Sequence, residues 1–487
     1  MDALSCGDRS DAAEQRTDGI VMKFGGTSVE DAPAMRRVSQ LVKERLRQKP
    51  VVVVSALAKV TDQLFAAGLA AAEGHREVVL EVVQRLRQRH EQIAADLLER
   101  EDYDRLRNDL EGEFRALDKA LCSIAAEGQF SPRAQDNLLG RGEALSSRIV
   151  QAVMRKDGLD AVLLDAKQYI ITDAAHTCAT PLWDETNQRL KAALLPLLES
   201  GCIPVLGGFV SSTRDGIPTT LGRGGSDFSA AIAGAALRAT RIEIWTDVDG
   251  VMTTDPVICS DARRVPRMSF DEAAELAYFG AKVLHPATLL PAMRHDIPVW
   301  VLNSRNQGCE GTEIRAYSGG EGRVKAITVK RGIAVVDVEP VRWLAPELLR
   351  EVCDVFERHQ QTLDLLSASR GGLSLLVTST GALPAIAAEL KGMANLRWEN
   401  HKALVCLVGE KIRRQPEIAS QVFRSISDVE TRMICQGASE RSLSFLVDEA
   451  RADESVRRLH HLLFPSSEVP AAAFQSQAMC QAGEAWP

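Results

Sequence analysis

The residues best suited to chemistry stand in glycine-rich strings. The first is Lys23-Phe24-Gly25-Gly26-Thr27-Ser28, which carries on from the end of the strand candidate Ile20–Phe24. Glycines let a backbone approach phosphate oxygens closely, and the amides and hydroxyls that follow can donate to them. Lys23 brings a positive charge suited to a transferring phosphoryl group. The string is not a GxxxxGK[ST] loop, and a glycine pair after a strand equally suits a plain tight turn. The second string runs from Thr219 through Gly222-Arg223-Gly224-Gly225-Ser226-Asp227 into a run of small residues, 229–237, that reads as a tightly packing helix. Free amides at that helix's start form an anion site, and Arg223 offers a planar fork to a carboxylate or phosphate. Asp227 has two readings, a helix cap or a group that orients Lys23. The third string, residues 245–256, is a loop of turn formers and carboxylates whose aspartates either hold magnesium or make the turn. Further on, Lys282 can meet a phosphate, and His285 before Pro286 reads as a packing residue.

Strands must present these strings. Candidates are residues 20–24, 51–55, 161–164, 203–206, 241–246 and 298–302, most of them continuous apolar runs. Such runs belong to strands buried on both faces, as in a parallel sheet covered by helices. Loops at the C-terminal ends of those strands are where open α/β sheets bind ligands. Residues 61–120 have helical spacing and read as a helical insertion. The composition breaks at 316–323. Beyond it an internal repeat appears: Leu373-Ser374-Leu375-Leu376-Val377 returns as Leu443-Ser444-Phe445-Leu446-Val447, 70 positions on. Each copy is preceded by a helix (346–359, 418–427) and a short apolar run (363–366, 432–435), and is followed by another helix (382–393, 453–463). That order suggests two small α+β sandwiches of ferredoxin-like type.

At 487 residues the chain needs more than one core. Its net charge of −8 argues against a nucleic-acid partner, and no apolar stretch approaches the ~20 residues of a membrane helix. Residues 1–18 read as a disordered leader and 466–487 as a tail. The scattered cysteines read as free thiols in a reducing compartment, which predicts a cytoplasmic protein.

The strings KFGGTSV, VVVSAL with Thr61 downstream, GRGEALSS, TTLGRGGSD, WTDVDGVMTTDP and FGAKVLHPATLLPA together resemble the aspartokinases, within the amino-acid kinase family. The C-terminal repeat resembles the paired ACT-type regulatory domains of the same enzymes, most closely in MICQGASERSLSFLV. The resemblance implies a catalytic domain over 19–318, ACT-like domains over 324–395 and 400–465, and transfer of the γ-phosphoryl group of ATP, with Mg2+, to the side-chain carboxylate of L-aspartate. No residues are assigned to a metal site of the protein's own. Lys23 and Asp227 are then catalytic. Thr61, Glu143, Arg223 and Ser226 face the substrate, with Glu143 on its ammonium and Arg223 on a carboxylate. Gly25, Gly26, Thr27, Ser28, Thr246, Asp247, Met252, Lys282 and Val283 face ATP. The alternatives are an amino-acid kinase acting on another carboxylate, or a catalytically dead amino-acid sensor.

The chain departs from the family at Met252, where relatives often have tyrosine, and at Val257, where they have arginine; Arg263, Arg264 and Arg267 lie near enough in sequence to compensate. The resemblance further implies a homodimer or homotetramer, and an amino-acid effector bound near Asp364, Ser369 and Arg370. Lysine-sensitive relatives tend to carry Ser-Glu where this chain has Ser369-Arg370, so weak inhibition by lysine and a neutral effector such as threonine are expected.

Overall fold

The computed structural model describes residues 17–281, 286–319, 322–341, 346–437 and 439–465. The leader up to residue 16, the tail from 466, and Lys282, Val283 and His285 therefore lie outside the described residues. Two compact units separate. The described parts of 17–251, 264–274 and 286–318 form the first, and 252–263, 275–281 and the chain from 319 form the second. The division thus differs from a single cut after 318. No helix among the described residues is long and apolar enough to cross a membrane.

The first unit is built on β1 (Ile20–Phe24), β2 (Pro50–Val54), β3 (Ala161–Leu164), β4 (Ile203–Gly207), β5 (Val210–Ser212), β6 (Pro218–Thr220), β7 (Arg241–Thr246), β8 (Arg267–Ser269), β9 (Val299–Asn303) and β10 (Thr312–Arg315). Eight of these form one sheet in the order β3-β4-β2-β1-β7-β9-β10-β8, parallel except where β10 runs back along β9. The continuous apolar runs are its central strands: β1, β2 and β4 are buried along their whole length. Helices α1 (Ala32–Glu44), α2 (Val60–Ala72), α3 (Arg76–Leu97), α4 (Arg100–Glu127), α5 (Pro132–Leu139) and α6 (Arg141–Lys156) precede α7 (Trp183–Glu199), α8 (Gly225–Leu237), α9 (Phe270–Tyr278) and α10 (Pro286–Arg294). Ile20, Met22 and Phe24 share a core with α1 and α6. On the other face α8 lies close, because Gly234 leaves no room for even a methyl group against Ile242 of β7.

The expected helical insertion is three helices, α2 to α4, and it runs on to Glu127, where Gly128 in the left-handed region ends it. His90 inside it is fully buried on Leu86 O, and burial pushes its imidazole down to about 4, so it packs as a neutral residue. The sequence pattern did not reveal the β5–β6 hairpin or strands β8 and β10. These are three- and four-residue segments carrying Arg267, Glu313 and Arg315, so no apolar run marks them.

The second unit holds β11 (Ala326–Pro340), α11 (Pro346–Arg358), β12 (Leu365–Ser369), β13 (Gly372–Val377), α12 (Leu383–Glu389), β14 (Ala394–Val408), α13 (Pro416–Ser425), β15 (Met433–Cys435), β16 (Ser442–Asp448) and α14 (Glu449–Leu463). Its six strands make one antiparallel sheet, β12-β13-β11-β14-β16-β15. The repeated pentapeptides are β13 and β16, flanking the long central pair. There are two cores, one around Val336, Val355 and Leu375 and one around Val405, Phe445 and Val456. β11 shifts register between Lys330 and Ile333, and Ile327, before the shift, packs in the second core. The two repeats are therefore interleaved through long shared strands, unlike the consecutive blocks expected from the pentapeptide spacing.

Candidate active site

In the first unit the glycine-rich strings meet at the C-terminal ends of β1, β2, β4 and β7. β1 runs into a tight turn in which Gly25 donates to Trp245 O at 3.0 Å and Ala58 donates to Gly26 O at 3.1 Å. A Cβ on Gly26 would stand 2.9 Å from Ala56 O, so the turn requires glycine there. Lys23 points from the end of β1 to the first turn of α8, where its Nζ lies 2.6 Å from Asp227 Oδ1. The contact is a close ion pair rather than a well-directed hydrogen bond, and its side chains are 11% and 14% exposed. Asp227 caps nothing: the residue at the N-cap is Gly224, with φ +70 and no side-chain bond. Asp227 therefore pairs with Lys23 and does not stand at the N-cap.

Glu143 sits in the first turn of α6 and is buried. Burial pushes its carboxyl up to about 7, against the pull of the Ala56 N–H and the nearby Lys23 charge. Its Oε2 is buried with no hydrogen-bond partner. Buried acceptors are nearly always satisfied, so this oxygen marks a place where a donor is missing. Arg223, at the loop before α8, is exposed and makes no ion pair among the described residues. Ser226 follows in the first turn of α8 and is pressed against Gly208, where a Cβ would stand 2.7 Å from its own Cβ. Thr61 lies partly exposed in the first turn of α2.

Of the residues expected at ATP, Gly25, Gly26 and Thr27 form the turn. The Ser28 hydroxyl is instead buried, within reach of Ser304 Oγ at 2.9 Å and Trp245 O at 3.2 Å. It braces the turn from behind and has no free hydroxyl for a phosphate. Thr246 ends β7 and donates to Asp247, which is exposed. Asp249 is a loop brace, accepting from Asn303 at 2.7 Å and Asn306 at 3.1 Å. Met252 belongs to the second unit. Val257 is 93% exposed. The three arginines near it in sequence are engaged elsewhere: Arg264 with Gly311 O and Glu310, Arg267 with Glu313, and Arg263 with Pro465 O. No group of three or more His, Cys, Asp or Glu side chains that could hold a metal ion occurs among the described residues.

The expected effector residues lie in the second unit. Asp364, just before β12, is 10% exposed and pairs with Lys330 Nζ at 2.6 Å. Its main-chain oxygen accepts the Tyr278 hydroxyl, also at 2.6 Å. Ser369 and Arg370 lie exposed at the β12–β13 turn. Sequence reasoning missed Asp136 and His176, which meet beside the Arg223 loop with Asp136 Oδ2 2.6 Å from His176 Nδ1. Neither belongs to a glycine-rich string, and 40 residues separate them, so nothing local marks the pair.

A model of the amino acid kinase family matches residues 18–303, and an ACT domain model matches residues 405–463. Lysine-sensitive aspartokinase 3 of Escherichia coli (strain K12) is 34% identical over 456 residues, which is 91% of this chain and 99% of that protein. The chloroplastic aspartokinase 3 of Arabidopsis thaliana is 34% identical over 468 residues, 93% of this chain and 82% of that protein. The crystal structure of E. coli aspartokinase III in complex with aspartate and ADP superposes with a TM-score of 0.80 at 33% identity, covering 92% of this chain and 100% of that one. The same enzyme in complex with lysine and aspartate gives 0.77 at 33% identity and the same coverage.

Proposed function

The chain belongs to the aspartokinases of the amino acid kinase family, and from that premise we propose how its residues carry the reaction. It is an ATP-dependent kinase that phosphorylates the side-chain carboxylate of L-aspartate, the opening step of lysine, threonine and methionine biosynthesis. The observation that carries the residue assignment is the Lys23–Asp227 pair standing by a buried glutamate with an unfilled oxygen.

An aspartate carboxylate is already ionised at neutral pH, so the reaction needs no strong base. A carboxylate oxygen attacks the γ-phosphorus, the bond to the β-phosphate oxygen breaks, and ADP leaves. The difficulty is bringing two anions together in line, which is a matter of positioning and charge neutralisation. Lys23 is placed to take up charge on the transferring group, and Asp227 holds its ammonium in direction. Glu143 receives the substrate ammonium, which supplies the donor that Oε2 lacks. Arg223 clamps a carboxylate, with Thr61 and Ser226 beside it. Gly25, Gly26 and Thr27 give the phosphates a close backbone approach, Ser28 braces them, and Thr246, Asp247, Met252, Lys282 and Val283 complete the nucleotide side. Magnesium would accompany ATP and neutralise charge on its phosphates, and no residue of this chain is assigned to hold it.

The ACT-like region receives an amino-acid effector around Asp364, Ser369 and Arg370. Its sheet ends in two edge strands, β12 and β15, whose unpaired main-chain groups favour pairing with another chain. We infer a cytoplasmic homodimer or homotetramer joined through residues beyond Arg323, and a monodisperse monomer at micromolar concentration would contradict it. The activity is tested by coupled ADP release with aspartate, with glutamate and with no acceptor. Release that does not depend on aspartate would overturn the assignment.

A further inference from the structure

We propose that Asp136 is a positioning residue that fixes the spacing between Glu143 and Arg223, and so selects the chain length of the acceptor; the proposal rests on those two groups reading the substrate's charged ends. Asp136 is fully buried on α5 and gathers donors from separate segments. Thr220 Oγ1 donates to its Oδ1 at 2.5 Å. The Thr177 amide lies 3.0 and 3.1 Å from its two oxygens, and His176 Nδ1 is 2.6 Å from Oδ2.

These bonds join two arms of the site. On one side, α5 passes through Gly140 directly into α6, whose first turn carries Glu143. Gly140 is held tightly in place, since a Cβ there would meet Val210 Cγ1 at 2.6 Å. On the other side, Thr220 ends β6 and is followed by Leu221, Gly222 and Arg223. The loop through His176 and Thr177 fills the space between. Ala179 donates to Thr220 O at 2.9 Å, and Gly222, at φ +76, passes so close that a Cβ would stand 3.2 Å from Thr177 O and 3.3 Å from Cys178 Sγ.

Thr177 itself is held at φ +71, a conformation that costs a non-glycine residue energy and persists only when its surroundings enforce it. Here the enforcing contact is its amide on Asp136. A carboxylate can accept several bonds at once, and ionised acceptors make strong ones. One buried side chain thus ties the helix pair bearing Glu143 to the loop bearing Arg223. Loosening it shifts one arm against the other, while Lys23 itself stays on β1.

The test compares Asp136→Asn and Thr220→Val, with Thr220→Ser as the conservative rescue. Each is measured for kcat, KM for aspartate, KM for ATP, the aspartate-to-glutamate ratio of kcat/KM, and thermal melting. The expected result is a rise in KM for aspartate of about tenfold or more, with a lower aspartate-to-glutamate ratio, because small misplacements of a reacting group cost that much. KM for ATP should stay near its starting value, and Thr220→Ser should restore both readings. Thr220→Val leaves the His176 contact in place, so it carries the test if Asp136→Asn does not fold. A lower melting temperature with unchanged KM and selectivity would reduce Asp136 to a fold-stabilising residue and overturn the proposal. Glu143→Gln and Arg223→Ala run alongside. If neither raises KM for aspartate, the assignment of the arms fails; if they do and Thr220→Val does not, the role of Asp136 alone fails.

Discussion

Glu143 in the first unit and Asp364 in the second are both carboxylates taken almost out of water, and they differ in the cation each is given. Asp364 has the Lys330 ammonium 2.6 Å from Oδ1, although its Oδ2, like Glu143 Oε2, is buried with no hydrogen-bond partner. Glu143 has main-chain donors at Ala56 and at its own amide, the pull of the Lys23 charge and an oxygen with no hydrogen-bond partner, and its carboxyl is pushed up to about 7. A buried charge without a close partner costs stability. The contrast separates a pocket kept open for a cation from a position whose cation is already built in. A site for a substrate ammonium should look like the first. A cationic effector at the second has to share Asp364 with a lysine already there.

The largest effect should come from breaking the ion pair that stands next to the open pocket. Lys23→Ala removes the charge facing the phosphoryl group, and loss of a comparable donor costs about 3–4 kcal/mol, so turnover should fall a hundredfold or more. It also leaves Asp227 without its partner in a nearly buried place. The double variant Lys23→Ala/Asp227→Asn should therefore regain melting temperature while staying inactive. Near-normal turnover in Lys23→Ala would remove Lys23 from the mechanism.

Next comes Glu143→Gln, which tests the open pocket itself. Raised from 4.5 to about 7 in the folded chain, Glu143 holds a proton there that the unfolded chain has released. Its contribution to stability is therefore full below pH 4.5, falls as pH rises toward 7, and stays lost above it, about 3 kcal/mol in all. Glutamine escapes that loss. The variant should melt higher than the parent above pH 7 and much the same near pH 4.5, yet its KM for aspartate should rise by about a hundredfold. In the parent enzyme, KM for aspartate should climb as pH drops below about 7, since the substrate ammonium needs the ionised carboxylate. A flat KM across that range would show that Glu143 does not meet the ammonium.

Substrate length follows from the same pocket. Glutamate is one methylene longer, so with its ammonium on Glu143 and a carboxylate on Arg223 its reacting group would be displaced, at a cost of roughly a hundredfold. Aspartyl and glutamyl hydroxamate formation measured side by side gives the ratio. Equal rates would favour an amino-acid kinase of broader choice.

What the sequence made legible follows from chain locality. The turn at Gly25 and Gly26 and the helix that begins just before Asp227 were readable because strand-then-glycine and glycine-then-small-residue-helix patterns are local. The buried central strands were readable because Val51 to Val54 need both faces covered. The buried place of Ser28 was hidden because its partners, Trp245 and Ser304, are more than 200 residues away. Asp136 gave no signal because its donors at Thr177 and Thr220 arrive from other segments. The interleaving of the two repeats was hidden for a related reason. The pentapeptide marks β13 and β16, but the strands that join the cores, β11 and β14, are not part of the repeated string.

The smallest effect should come from the paired carboxylate. A cationic effector at Asp364 would meet the Lys330 ammonium already on Oδ1, which is partly buried and also lies over the Tyr278 ring. That ammonium weakens binding of a dibasic amino acid relative to a neutral one. Lysine should then inhibit weakly, and threonine more strongly, at subsaturating aspartate. Lys330→Met keeps the aliphatic stem packed but removes its charge, leaving Asp364 to look for a cation. In that variant lysine inhibition should strengthen by several-fold, in line with the ~1 kcal/mol that a partly exposed pair contributes, while inhibition by threonine should change little. Strong lysine inhibition in the parent, unaltered in Lys330→Met, would mean that the effector never competes with Lys330 and that Asp364 is a structural residue of the second unit.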